Sequence, residues 1–422
     1  MLDRKIAPPF KRVANIAIPQ AKRTCLDNGI PLYYIEAGKQ PVVRLEFIFK
    51  AGAWYEDNKG ASYFAAKMLS EGTQQKSSAQ ISYEVEKFGA YLDFNPTLDY
   101  SIVTLECLSK HLNNLLPLLH EILRQPTFPE DELVTLKNIK AQQTRVQNEK
   151  SSFLASKKFR EAIFGEAHPY GKDLTLEDID KLTRDDVRSF YDQYYTLPFE
   201  VLISGLPNSG FIADINKIFG QTVLQKAAAD PTYISHPISS PTIIEKEANL
   251  QSSIRVGKKL LTKDQPDYVK LLIVNEILGG YFGSRLMKNI REDKGYTYGI
   301  SSALVPLRND GYFIIGTDVN KENTRNTLQE IYKEIEVLQT TLISDDELNT
   351  VRSFMIGSFL SEINTPFALS DKFKGVHLYG LGYDFYDSYL QTVNNITSTE
   401  IRDLAQQYLQ RDTFSEVIVG GI

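Results

Sequence analysis

The sequence predicts an α+β protein of two homologous domains, each a mainly antiparallel sheet covered by helices, the two related as an internal tandem repeat. The first observation behind this is self-similarity over half the chain. PEDELVTLKN (Pro129 to Asn138) returns as SDDELNTVRS (Ser344 to Ser353), with Asp131, Glu132, Leu133 and Thr135 recurring 215 positions later. IDKLTRDDVRSFYDQYY (Ile179 to Tyr195) returns as VNNITSTEIRDLAQQYL (Val393 to Leu409) at an offset of 214, and EVLISG (Glu200 to Gly205) as EVIVGG (Glu416 to Gly421) at 216. Three matches in one order at nearly one offset mark a duplication. The second observation is length: 422 residues exceed one ordinary domain. The third is that strand-like and helix-like runs mix within each copy, several strands being joined by short links.

Taken in order, IPLYYIEA and VVRLEFIFKAG alternate as strands do. A short helix follows at Gly60, then a helix opening near Ser77, a strand at YSIVTLECL, and a long helix from about Lys110 onward. In each copy a hydroxyl stands three residues before a carboxylate, Thr183 with Asp186 and Thr397 with Glu400, and so marks a helix start that satisfies its own free amides. The β-branched VLIS and VIVG that follow read as buried strands. The second half offers a strand at SSIRVGKKL, a helix at DYVKLLIVNEILGG, strands at YTYGISSALV and GYFIIGTDV, and a long helix from Glu322 to Leu338. Pro and Ser cluster at Ala227 to Thr242, where periodicity lapses, so the division is 1–226, a linker 227–242, and 243–422.

Composition narrows the function. A net charge of −6 gives no general pull toward nucleic acid. No uncharged apolar run is long enough to span a bilayer. Cys25 and Cys107, without a CxxC pair, indicate neither a disulfide framework nor a thiolate metal site. The opening segment is interrupted by Pro8, Pro9, Lys11 and Arg12 and lacks the apolar core of an export signal, so a cytoplasmic location is expected, or a periplasmic one if a leader was trimmed.

The short helix carries the most informative stretch, GASYFAAKMLSEGT (Gly60 to Thr73). It resembles the metal helix of the inverted-zincin metallopeptidases, the pitrilysin, insulinase and mitochondrial processing peptidase group, which reads roughly G-x-x-H-F-x-E-H-M-x-x-x-G-T. In that order two imidazoles at i and i+4 and a carboxylate between them share one helical face, placing zinc beside its general base. Gly60, Phe64, Met68, Gly72 and Thr73 fit the frame, but the three chemical positions are Tyr63, Ala66 and Lys67. A phenol is a poor zinc ligand at neutral pH, alanine supplies no base, and an ammonium repels the cation. The resemblance puts the third ligand, a glutamate, near Gln142 or Gln143, neither of which is charged. The histidines, His111, His120, His168, His236 and His377, show no i,i+4 pairing, and each reads as surface or structural. No metal or cofactor is expected in this chain, and Phe64, Met68 and Leu69 keep the helix as a packing element.

GGYFGSRLMKNIREDKGYTYGI (Gly279 to Ile300) is the second family-like stretch. It resembles the non-catalytic chain of bacterial two-subunit members, which lacks HxxEH but carries an arginine and a tyrosine seven residues apart, here Arg291 and Tyr298. The resemblance implies that this pair reaches the substrate in the active site of a zinc-bearing partner. A forked guanidinium can hold a peptide carbonyl or carboxylate, and a phenol can donate to an oxyanion beside zinc. The alternative leaves Arg291 at a solvated helix end and Tyr298 on one strand face with Tyr296. Gly279, Gly280 and Gly283 lack the order of a phosphate loop and are read as a turn that keeps backbone accessible near a groove.

The resemblance therefore implies a non-catalytic subunit of a heterodimeric zinc peptidase, inactive alone. Its partners would be an HxxEH-bearing chain of similar size, which holds the zinc, and a peptide substrate that adds to a sheet edge. The alternatives are a structural protein like the processing-peptidase-related core subunits of respiratory complexes, or a peptide-binding chamber made by two copies of this chain.

Overall fold

The computed structural model describes residues 16–226, 229–237, 241–246 and 249–421. The opening segment and parts of the expected linker, 227–228 and 238–240, lie outside these. Two sheets organise the chain. The first contains β1 (Lys22–Cys25), β2 (Pro31–Glu36), β3 (Val42–Phe49), β4 (Tyr91–Pro96), β5 (Ser101–Leu108) and β6 (Glu200–Gly205) in the order β1-β2-β6-β3-β5-β4. The second contains β7 (Thr242–Glu245), β8 (Gln251–Leu260), β9 (Thr297–Pro306), β10 (Gly311–Asn320) and β11 (Ser415–Gly420) in the order β7-β11-β8-β10-β9. Only β2 with β6 and β7 with β11 pair in parallel among the described strands. Strands β2, β6, β3, β5 and β4 thus correspond in order to β7, β11, β8, β10 and β9, as the repeat predicts.

Local chemistry accounts for the elements. Central β3 is buried over most of its length because helices cover both its faces, whereas β5 and β10 alternate with a period of two. Both expected capping boxes form: Thr183 Oγ1 accepts from Asp186 N at 3.2 Å, and Thr397 Oγ1 from Glu400 N at 3.2 Å. The long helix expected from Lys110 divides into Leu112–Arg124, Glu130–Glu149 and Ser151–Phe164. Pro126 and Pro129 lie in the first gap, where an amide donor is missing and the residue before each proline is driven out of the helical region. The expected helix at 267–280 is α-helical over Tyr268–Asn275 and then widens to a π turn at Glu276–Gly280.

The halves interlock by exchanging helices. Ser151–Phe164 belongs to the first half yet packs on β8 and β11 of the second sheet, with Phe159 over Gly257. Pro366–His377 belongs to the second half yet packs on β2 and β6 of the first, where Leu369 and Phe373 join Ile35, Ile48 and Leu202 in one core. The two helices begin 215 residues apart, so they are repeat-related and the exchange is reciprocal. Lys374 on the second helix pairs with Glu46 of β3, whose side chain is 3% exposed. Among the described residues no helix is long and apolar enough to cross a membrane.

Candidate functional site

The helix Ala61–Met68 begins at Gly60 in the left-handed region (φ 92°), which glycine adopts without steric cost. Buried Glu56 completes its start, accepting from Gly60 N at 3.0 Å, Ser62 N at 3.2 Å and Ser62 Oγ at 2.8 Å. Phe64, Met68 and Leu69 are fully buried, so the expected packing role is realised. Ala66 is buried with them. Tyr63 is half-buried, and burial raises its phenol pKa. Lys67 reaches Asp93 of the edge strand β4 at 3.8 Å.

The long helix Glu130–Glu149 brings Lys140 over Tyr63, its Nζ 4.2 Å from the ring centroid. Burial lowers the Lys140 pKa; Asp173 opposes this and Lys67 adds to it. Gln142 and Gln143 are exposed. Lys140 was legible in principle, since it continues the helical stripe of Leu133 and Leu136 toward buried Thr144. Where the family frame would place a dication, this chain places two ammonium groups. Among the described residues no cluster of three or more His, Cys, Asp or Glu side chains could hold a metal ion. His168 stacks on Phe164 and accepts from Tyr170 N at 3.1 Å, while His377 bonds Glu200 at 2.7 Å, both as structural residues.

This geometry makes a quantitative expectation about metal. Tyr63→His, Ala66→Glu and Lys67→His together restore the HxxEH donors but leave the Lys140 ammonium against the first of them. Adding Lys140→Glu exchanges that cation for an anion and is expected to tighten zinc binding by about tenfold or more over the triple variant. Competition titration with a chromophoric chelator measures the difference; equal affinities would show that Lys140 does not bear on the site.

Arg291 and Tyr298 come together at the far edge of the second sheet. Arg291 lies in a second π-helical segment, Met287–Asp293, and its Nε donates to the Tyr298 carbonyl at 3.0 Å. Its guanidinium stacks 4.7 Å from the centroid of the exposed Phe282 ring. Tyr298 is 94% exposed and sits in β9, whose outer edge is unpaired among the described residues. The register of β9 on β10 shifts between Thr317 and Val319, and Thr297 Oγ1 bridges the irregularity by donating to Asp318 O at 2.7 Å. Such a bulge re-aims the neighbouring side chain. A recess of about 470 Å³ opens beside it, lined by Tyr298, Gly299, Ser301, Gly316, Asp318 and Arg255. Burial lowers the Arg255 pKa, and its Nε is held by Ser156 Oγ at 3.0 Å.

The glycines have different tasks. A Cβ on Gly279 would lie 2.8 Å from Ser302 N, so glycine lets the π turn press against β9. Gly280 and Gly283 face the Glu276 carboxyl and the Tyr281 ring respectively, each at under 3 Å from an added Cβ. The glycine run therefore shapes the support behind Tyr298. Phe282, within that run, and the Thr297 bridge were not singled out from sequence; the bridge depends on the bulge, which sequence periodicity does not reveal, and the Phe282 contact on the fold of Arg291 back onto it.

Comparison with known proteins agrees with this architecture. Residues 33–171 match the model of the insulinase peptidase family, and residues 181–355 match the "Peptidase M16 inactive domain". The chain is 26% identical over 405 residues to an "uncharacterized zinc protease" of Bacillus subtilis, covering 93% of this chain and 96% of the relative. It is 23% identical to a "non-peptidase homolog" of Helicobacter pylori, covering 92% and 91%. Bovine mitochondrial cytochrome b-c1 complex subunit 1 shares 24% identity over 276 residues, 63% of this chain and 56% of that one. In structure, a peptidase M16 inactive domain from Pseudomonas fluorescens superposes with a TM-score of 0.86 at 23% identity, covering 95% and 98%. A protease from Helicobacter pylori gives 0.87 at 19%, covering 96% and 100%. With both halves matched and the same helix-covered sheets in each, the chain belongs to the insulinase family of peptidases.

Proposed function

We propose that this chain is the non-catalytic subunit of a two-chain zinc peptidase, presenting Arg291 and Tyr298 to the active site of an HxxEH-bearing partner of similar size. The observation that carries the reading is the contrast between two places. The metal position holds Lys67 and Lys140, while at an unpaired sheet edge a guanidinium holds the backbone carbonyl of Tyr298, whose phenol is exposed. A group this exposed contributes little to its own fold, and exposed aromatic and arginine side chains are characteristic of recognition surfaces. An extended peptide would pair with the edge of β9 and lay alternate side chains into the recess beside Tyr298. Zinc and the general base would come from the partner, and Arg291 and Tyr298 would bind the substrate and steady the developing oxyanion.

A second reading is structural, and the likeness to a cytochrome b-c1 subunit favours it. Chromatography and activity measurements separate the two. Alone, the chain is expected to carry no stoichiometric zinc and to cleave no peptide; mixed with the partner, it is expected to raise peptide cleavage severalfold or more. Tight zinc with turnover in a rigorously purified single-chain preparation would overturn the proposal, and capture in a large assembly with no HxxEH companion would favour the structural reading.

A further inference from the structure

The helical layer of the second half carries a half-open cavity of about 550 Å³, lined by Tyr268, Phe354, Phe359, Tyr386, Tyr389 and Glu276 among others. A space of this size accommodates a small organic molecule or a few residues of peptide. Phe359 and Tyr386 belong to the core and Phe359 contacts Tyr386 and Tyr389, each with ring centroids 5.5 Å apart, while the exposed Phe354 packs on Tyr281 at 4.8 Å.

Glu276 is the anomaly in this lining. Its Oε2 is enclosed by protein and has no hydrogen-bond partner, although buried carboxylates are almost always paired, so only its Oε1 can meet a ligand in the cavity. Burial raises its pKa with no opposing contribution from a neighbouring cation. Burial, and after it neighbouring carboxylates that include Glu276, also raise the phenols of Tyr281 and Tyr389. Rings and an unsatisfied carboxylate around one space form the environment that attracts an organic ammonium, through charge on one side and ring quadrupoles on the others. The remaining charged lining is mixed, Lys263 and Lys372 with Glu362 and Asp371. Lys263 donates to Gly375 O at 2.8 Å, and burial and Lys372 lower its pKa to about 8. Lys372 is already paired with Glu362. With Glu362 and Asp371 beside these lysines, the charge of that part of the lining is balanced, and a single ammonium on an apolar body matches the carboxyl of Glu276 and the rings.

We propose that this cavity binds a primary ammonium carried on an apolar body, with the ammonium against Glu276 and the body among Phe354, Phe359, Tyr386 and Tyr389. An aralkylamine and the free N-terminus of an apolar peptide share this chemistry. Calorimetric titration of the full chain would use phenethylammonium chloride and the tripeptide amide Phe-Ala-Ala, the latter with a free or an acetylated N-terminus. One ligand per chain is expected. Tighter binding of phenethylammonium would identify a small amine, and tighter binding of the free peptide a chain terminus; acetylation is expected to abolish the peptide's binding. Glu276→Gln is expected to weaken either by about tenfold or more, because it removes the charge and preserves the shape. Ala368→Trp fills the cavity from another lining position without touching the carboxylate, and is expected to remove binding. The absence of saturable binding by both amines, or an affinity unchanged by Glu276→Gln, overturns the assignment. Should Glu276→Gln fail to fold, unchanged affinity in Ala368→Trp overturns it equally.

Discussion

Arg291→Ala is expected to lower the kcat/KM of the mixed two-chain enzyme by about a hundredfold, the scale of losing one preorganised donor at a developing oxyanion. Two losses combine in this substitution: the guanidinium offered to substrate and the Nε bond that fixes the Tyr298 carbonyl. Tyr298→Phe removes only the hydroxyl and is expected to cost about tenfold, chiefly in kcat if the phenol acts in the transition state. Arg291→Lys keeps a charge but loses the fork, so it should fall nearer to alanine than to the parent. Both positions lie at the surface edge of the sheet, and stability should change by no more than about 0.5 kcal/mol. Steady-state kinetics of each mixed complex, with unfolding curves as the control, decide the matter. A full-activity Arg291→Ala complex would remove the pair from the mechanism and leave the structural reading.

The largest stability effect is expected from Lys374→Ala, at about 3–5 kcal/mol of destabilisation. Lys374 reaches from the second half to Glu46, a residue 2% exposed in the central strand β3, and it also pairs with Asp371 at 2.9 Å. Its removal strands a carboxylate between the exchanged helix and the first sheet. Replacing both partners with apolar residues, Glu46→Leu with Lys374→Met, should recover most of the loss, because no unpaired charge then remains. Burial raises the Glu46 pKa despite the lysine beside it. A carboxyl raised in the folded state contributes stability that is present in acid and lost as pH rises through the folded value. The deficit of Lys374→Ala should therefore be greatest at neutral pH and shrink as Glu46 takes up a proton. Denaturant titrations of the single and double variants between mildly acidic and neutral pH check both the size and the slope.

Much of this was legible in the chain itself. The duplication, the two capping boxes and the main strands are local or periodic signals, and each expresses hydrogen-bonding or burial demands that neighbouring residues settle among themselves. The departure from HxxEH was legible for the same reason, since Tyr63, Ala66 and Lys67 differ from the family's donors in their own functional groups. Strands β1, β4 and β7 were not anticipated: β1 and β7 are only four residues long, and β4 carries Asp93, Asn95 and Pro96, so pairing with a neighbour is what makes them strands.

The sequence by itself determined that the HxxEH donors are replaced and that the chain is built twice. Only the tertiary structure decided that the repeat-related helices Ser151–Phe164 and Pro366–His377 trade places, that Lys140 rather than a glutamine lies over Tyr63, and that the Glu276 Oε2 has no partner. These are matters of contact between residues distant in the chain. Periodicity shows which face of a helix is buried, but the partner is selected by packing and charge across the whole molecule.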